Sequence, residues 1–208
     1  QVPGAKNSVL KLMAATLLAE GDYVFTNVPA INDVDTMGDL LSALGVTAVR
    51  EGTHILTLCN HGNITPVAPF EQVDRIRASI NVLGPLLARF GRADIAMPGG
   101  DNFGSRPIDL HISGLQSMGA TFDLTSDGVR AVAPHLHGAM ITLSFPSVGA
   151  TENILTAAVL ADGVTTIENA AREPEIGDLC AMMNAMGAKI SGIGTARLVI
   201  EGVEASSL

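Results

Sequence analysis

Asp33-Val34-Asp35-Thr36-Met37-Gly38-Asp39-Leu40-Leu41-Ser42-Ala43-Leu44-Gly45 aligns without a gap on Glu175-Ile176-Gly177-Asp178-Leu179-Cys180-Ala181-Met182-Met183-Asn184-Ala185-Met186-Gly187. The apolar pairs Val34/Ile176, Met37/Leu179, Leu40/Met182, Leu41/Met183 and Leu44/Met186 keep helical spacing, and each segment closes on a glycine suited to a helix C-cap. The match runs backward in the same register. Leu17-Leu18-Ala19-Glu20-Gly21 pairs with Val159-Leu160-Ala161-Asp162-Gly163, and Thr26-Asn27 with Glu168-Asn169. A third copy lies between them, where Ile108 to Ala120 again forms an amphipathic segment closing on Gly119-Ala120. The chain is therefore read as three units of about 70 residues, near 1–65, 66–135 and 136–208.

Each unit reads as an Ala/Leu-rich helix, a short β segment, a loop, a second amphipathic helix and a β-hairpin. Helices are expected at Ser8–Ala19, Thr36–Leu44, Val73–Arg89, Ile108–Met118, Glu152–Leu160 and Ile176–Met186. Strands are expected at Tyr23–Thr26, His54–Leu58, Ala93–Ala96, Thr121–Leu124, Val129–Ala133, Met140–Leu143, Thr165–Glu168, Lys189–Ser191 and Arg197–Glu201. This is an α+β pattern, not a simple βαβ series. Such a unit exposes apolar surface on one helix and one sheet face, so three units stabilise one another by sharing a core. The apolar first helices are the expected centre. No low-complexity linker divides the units, which predicts one pseudo-threefold domain.

Composition agrees with a packed core. Of the 208 residues 47% are hydrophobic but only 3% aromatic, so the interior must be built from Ala, Val, Ile, Leu and Met. The formal net charge of −9 argues against a broad nucleic-acid or anionic-membrane surface, so an anionic ligand would need a local basic cluster. Cys59 and Cys180 make neither a disulfide framework nor a metal-binding spacing, which fits a reducing compartment. No signal-peptide pattern stands ahead of Gly4, and the apolar runs are too short and interrupted to span a bilayer. The expectation is a soluble, cytoplasmic protein with no cofactor and no metal.

Chemistry concentrates in Met97-Pro-Gly-Gly-Asp101-Asn-Phe-Gly-Ser-Arg106-Pro-Ile-Asp109-Leu-His111. Gly99, Gly100 and Gly104 can take backbone conformations barred to other residues, so the loop can turn N–H groups toward an anion beside Asp101 and Arg106. An ordinary Gly-rich turn between a strand and a helix is the competing reading.

The ordered set Gly4-Ala5-Lys6-Asn7, Arg77-Ala78-Ser79, Leu83-Gly84-Pro85-Leu86, Pro98-Gly99-Gly100, Gly104-Ser105-Arg106-Pro107, Ser147-Val148-Gly149-Ala150-Thr151 and Glu168-Asn169-Ala170-Ala171-Arg172-Glu173-Pro174 resembles one lobe of the enolpyruvyl transferases. Within them it is most similar to the branch acting on UDP-N-acetylglucosamine. The resemblance covers nearly the whole chain. It implies a fold of three βαβαββ units per lobe, an inside-out α/β barrel, with the active site between two lobes. It further implies that this chain is one lobe of a longer protein and lacks the second, and that alone it turns over little or no substrate. The implied reaction, the first committed step of peptidoglycan synthesis, transfers the enolpyruvyl group of phosphoenolpyruvate to the 3′-hydroxyl of UDP-N-acetylglucosamine by addition and elimination, releasing phosphate. Its site needs a general acid, a base and cations for phosphate and carboxylate.

By the same resemblance Lys6 and Asn7 match the phosphoenolpyruvate-binding pair, although Asn7 or Ser8 could simply cap the first helix. Arg77 and Arg106 match arginines on the nucleotide-sugar and phosphate side of the cleft. Arg106-Pro107-Ile108-Asp109-Leu110 matches the uridine and sugar segment. Phe145-Pro146-Ser147-Val148 matches a diphosphate-side segment, with Phe145 standing where a basic residue is often found. Arg172 is read as structural, salt-linking its own loop; Asp109 and His111 are each read as a hydrogen-bond partner at the site, with a helix cap the competing role for Asp109. Asp101 takes the position of the general acid, a cysteine in most members and an aspartate in some. It can deliver a proton if its pKa is raised, but it cannot form a thioether. The alternatives are an enzyme that uses shikimate 3-phosphate in place of the sugar nucleotide, and a non-catalytic binding module of the same fold.

Overall fold

The computed structural model describes residues 4–69, 73, 75–96, 108–125 and 128–208. It is an α+β fold of three small sheets around a helical centre. The first sheet holds β1 (Gly21–Phe25), β2 (Thr47–Glu51) and β3 (Ile55–Asn60) in the order β1-β3-β2, antiparallel throughout. The second holds β4 (Val67–Ala68), β5 (Arg92–Ala96), β6 (Thr121–Leu124) and β7 (Gly128–Val132), ordered β4-β5-β7-β6. The third holds β8 (Met140–Thr142), β9 (Val164–Glu168), β10 (Lys189–Ser191) and β11 (Arg197–Glu201), ordered β10-β11-β9-β8. The pairs β4/β5 and β8/β9 are parallel and the other pairings antiparallel, so the second and third sheets share one topology.

Six α-helices are described: α1 (Lys6–Ala15), α2 (Asn32–Leu44), α3 (Leu83–Phe90), α4 (Asp109–Ser117), α5 (Val148–Ala158) and α6 (Pro174–Met186). The repeat seen in sequence is carried by the backbone. One offset relates both ends of α2 to both ends of α6, and the same offset relates Asn27 to Asn169, both left-handed at φ 57°. Left-handed asparagine is uncommon, so its recurrence at matched positions marks a shared turn. Gly45 and Gly187 close the two helices at φ 114° and 123°, which the sequence reading of their C-caps anticipates.

Helices α1, α3 and α5 form the centre. Every residue from Ala150 to Ala158 is buried, as are Leu83 to Leu87 and Leu10, Met13, Ala14 and Ala15. The sheets lie outside, with Val24, Met140 and Val164 exposed on their outer faces. This is the inside-out arrangement of helices and sheets.

Several expected boundaries shift for identifiable reasons. The single helix expected over Val73–Arg89 is a 3₁₀ segment, Arg77–Val82, followed by α3. Pro85 lacks an N–H and would collide with the carbonyl four residues back if an α-helix ran through it, so the α-helical stretch starts at Leu83. The helix expected at Glu152 starts at Val148, because the Ser147 hydroxyl accepts a hydrogen bond from the Ala150 N–H at 3.3 Å and caps it. α1 opens at Lys6 and tightens to 3₁₀ over Thr16–Leu18. Asn7 and Ser8 therefore sit inside its first turn and cap nothing, and Asp109 is the first residue of α4, not its cap. Strands β2 and β4 are additional to those expected.

Candidate functional site

One cleft of about 690 Å³ gathers most of the expected site residues. The first turn of α1 brings Lys6 and Asn7 to its wall, and the start of the 3₁₀ segment brings Arg77. The first turn of α4 adds Asp109 and Leu110, while the N-terminal end of α5 adds Phe145, Ser147 and Val148. These elements come from all three units. Each contributes the beginning of a helix, where unpaired backbone N–H groups and the helix dipole favour an anion.

Not every expected residue is placed there. Ile108 is buried beneath α4 and Pro146 is exposed; neither lines the cleft. Asp101, Arg106 and Pro107, with the Gly99-Gly100 turn, lie outside the described residues. Arg172 was expected to salt-link its loop, but the bond there runs from its backbone N–H to Glu173 Oε2 at 2.9 Å, and its side chain enters no ion pair among the described residues.

The cleft's charges are balanced by acids nearby. Lys6 pairs with Asp33 at the start of α2, and Arg75 with Asp39 at 2.9 Å. Both pairs are solvated and worth little on their own. Deeper in, Lys11 Nζ lies 3.5 Å from Glu152 Oε1, their side chains 12% and 3% exposed. Burial pushes the Glu152 carboxyl up to about 7, with Lys11 the main opposing influence and Asn81 a smaller one.

Beside them His111 is held neutral. The Gly84 N–H donates to Asn153 Oδ1 at 2.7 Å, which fixes the amide so that Nδ2 donates to His111 Nδ1 at 2.9 Å. The imidazole proton therefore sits on Nε2, toward Gly149 and the cleft. Burial, reinforced by Arg77 and opposed by Asp109, lowers its pKa to about 4. The sequence reading offers His111 as a hydrogen-bond partner at the site, whereas Lys11, Asn81, Glu152 and Asn153 were not singled out from sequence as parts of it. The available signal was a lone charge inside an otherwise apolar helix, as at Glu152 within Ala150-Thr151-Glu152-Asn153-Ile154-Leu155.

Among the described residues, Asp22, Cys59 and His61 form the group whose ligand atoms are close enough to share a metal ion. Asp22 and Cys59 are directly paired across β1 and β3, and His61 follows two residues on. A hydrogen bond to Asp22 raises the Cys59 thiol pKa. None of the three lines the cleft.

A family model described as EPSP synthase (3-phosphoshikimate 1-carboxyvinyltransferase) matches residues 1–208. The chain belongs to that family. Among curated relatives it is 54% identical over 204 residues to a UDP-N-acetylglucosamine 1-carboxyvinyltransferase of Corynebacterium efficiens, and 53% identical to one of Corynebacterium jeikeium. Each alignment covers 98% of this chain, and the chain spans about half the length of these relatives, 48% and 49%. Among solved structures it is similar to the enolpyruvyl transferase NikO from Streptomyces tendae, with a TM-score of 0.86 and 25% identity over 99% of this chain and 48% of that one. An EPSP synthase from Acinetobacter baumannii superposes with a TM-score of 0.77 at 21% identity, over 97% of this chain and 46% of its own, and likewise supports the fold of this EPSP synthase family member.

Proposed function

We propose that this chain is one lobe of an enzyme that transfers the enolpyruvyl group of phosphoenolpyruvate to the 3′-hydroxyl of UDP-N-acetylglucosamine, a step in making peptidoglycan precursors in the cytoplasm. The observation that carries the reading is the convergence of Lys6, Asn7, Arg77, Asp109, Leu110, Phe145, Ser147 and Val148 on one cleft. The naming of relatives at 53–54% identity supports it. The three units, near 1–65, 66–135 and 136–208, present helix starts and cations to the phosphate-bearing substrates. Lys6 and Asn7 bind phosphoenolpyruvate, and Arg77 and Arg106 hold oxygens of the phosphate groups. The segment Pro107 to Leu110 with Phe145 to Val148 seats the nucleotide sugar. Asp101 delivers the proton to C3 of the enol as the sugar oxygen attacks C2. The second lobe closes the site and supplies the base.

Isothermal titration separates this reading from a shikimate one. UDP-N-acetylglucosamine is expected to bind while shikimate 3-phosphate does not, and the reverse preference would overturn the proposal. Residues 1–208 alone are expected to show little turnover. A rate comparable to a two-lobe enzyme would refute the need for the second lobe.

A further inference from the structure

The inner wall of the cleft carries a polar group set into the apolar centre. Gly21, Gly91 and Gly163 stand with positive φ at the heads of β1, β5 and β9, and ten residues ahead of them lie Lys11, Asn81 and Asn153. The pseudo-threefold arrangement thus puts a polar side chain at the same place in each central segment. Asn153 is fully engaged, its amide bonded to Gly84 and His111. Lys11 and Asn81 instead face Glu152, whose Oε1 is buried without a hydrogen-bond partner among the described residues. The Lys11 ammonium is 3.5 Å from that oxygen, longer than the roughly 2.7–2.9 Å of a charge-assisted hydrogen bond. A buried carboxylate left in this state is costly, and an ammonium held so loosely retains its donors for another acceptor.

Resting on the reading of the cleft as a site for phosphate-bearing substrate, we infer that Lys11 is a further anion-binding residue and Glu152 its positioning partner: the ammonium passes to a substrate diphosphate and the carboxylate takes a proton from solvent in exchange. Lys11 and Glu152 both line the cleft, whereas the more exposed cations Lys6 and Arg75 are already paired with Asp33 and Asp39. The groups facing Glu152 from its neighbours are Lys11 on α1, Asn81 on the 3₁₀ segment and Glu175 on α6. Of these only Lys11 is a cation. Once its attraction is withdrawn, burial and the like charge of Glu175 both favour the protonated acid. The exchange balances: the diphosphate gains an ammonium partner, one proton moves from buffer to Glu152, and no covalent bond changes apart from that O–H.

The test is calorimetric titration with UDP-N-acetylglucosamine in two buffers of different ionisation enthalpy, using the whole protein. Its diphosphate is esterified at both ends and does not titrate near neutrality, so proton uptake reports the protein. The wild type is expected to take up about half a proton at pH 7 and more at higher pH, with affinity weakening up to about tenfold per pH unit above pH 7. Glu152→Gln is expected to bind with that uptake abolished, and Lys11→Met to bind at least tenfold more weakly with uptake reduced. Near-zero uptake in the wild type, or uptake that survives in Glu152→Gln, overturns the inference even if the sugar nucleotide binds well. ADP-glucose is the second probe: proton-coupled binding of it in preference to the uridine ligand supports the Lys11–Glu152 exchange while refuting the proposed substrate. Failure of both ligands to bind overturns both.

Discussion

Glu152→Gln tests the electrostatics of the centre through stability alone, without a ligand. Burial raises the native carboxyl pKa from 4.5 to about 7, so the folded state holds a proton that the unfolded chain has already lost. The stability linked to that proton is present in full below pH 4.5 and is lost as pH rises through about 7. A displacement of this size corresponds to roughly 3 kcal/mol. Glutamine does not titrate, so the stability of the variant minus that of the wild type is expected to climb by about that amount across the window. His111 acts in the opposite direction. Its pKa falls from 6.5 to about 4, so it adds stability between those values as pH rises. In the wild type the two slopes offset each other, and the variant exposes the histidine slope. Urea unfolding at a series of pH values reads the difference, which at an m-value of about 2 kcal/mol/M amounts to a midpoint shift of about 1.5 M. A difference that stays flat from pH 4.5 to 7 would refute the buried, proton-holding state of Glu152.

Gly84→Ala places a methyl group on the Asn153 carbonyl and the Thr156 hydroxyl, and is expected to cost roughly 3 kcal/mol in chemical denaturation; Gly177→Ala, with nothing among the described residues within 4 Å, is expected to gain about 0.5–1 kcal/mol instead. Asn153→Ala strips the Gly84 N–H of its acceptor and His111 Nδ1 of its donor. Stability is expected to fall by about 1–3 kcal/mol, and the His111 ring signal in NMR to titrate closer to 6.5. Fosfomycin, an epoxide that alkylates a cysteine thiol, is expected to leave wild-type Asp101 unlabelled by intact mass and to label Asp101→Cys.

Strands bounded by glycine or a tight turn were legible to the residue: Thr121–Leu124, Lys189–Ser191 and Arg197–Glu201 all match. β4 was not, because two residues become a strand only by lying parallel to β5. The Val73–Arg89 pattern has helical period, but periodicity is blind to the missing N–H of Pro85. At the site, short motifs located the helix starts that line the cleft. Lys11, Glu152 and Asn153 escaped because a single polar residue in a helix ordinarily marks its solvent face. Here the helices are surrounded by the other units, so the same residues point inward.

Packing α3 on α5, with α1 joined to them through the 3₁₀ segments Thr16–Leu18 and Arg77–Val82, has a consequence for how the molecule comes apart. None of these helices can keep its apolar surface covered by its own unit, so losing one unit uncovers the other two. Separate melting of thirds of the chain is thereby disfavoured, although the sheets are separate. The amides of α5 are expected to exchange hydrogen only through opening of the whole molecule, with one common opening free energy, while those at the outer strand edges exchange through local fluctuation.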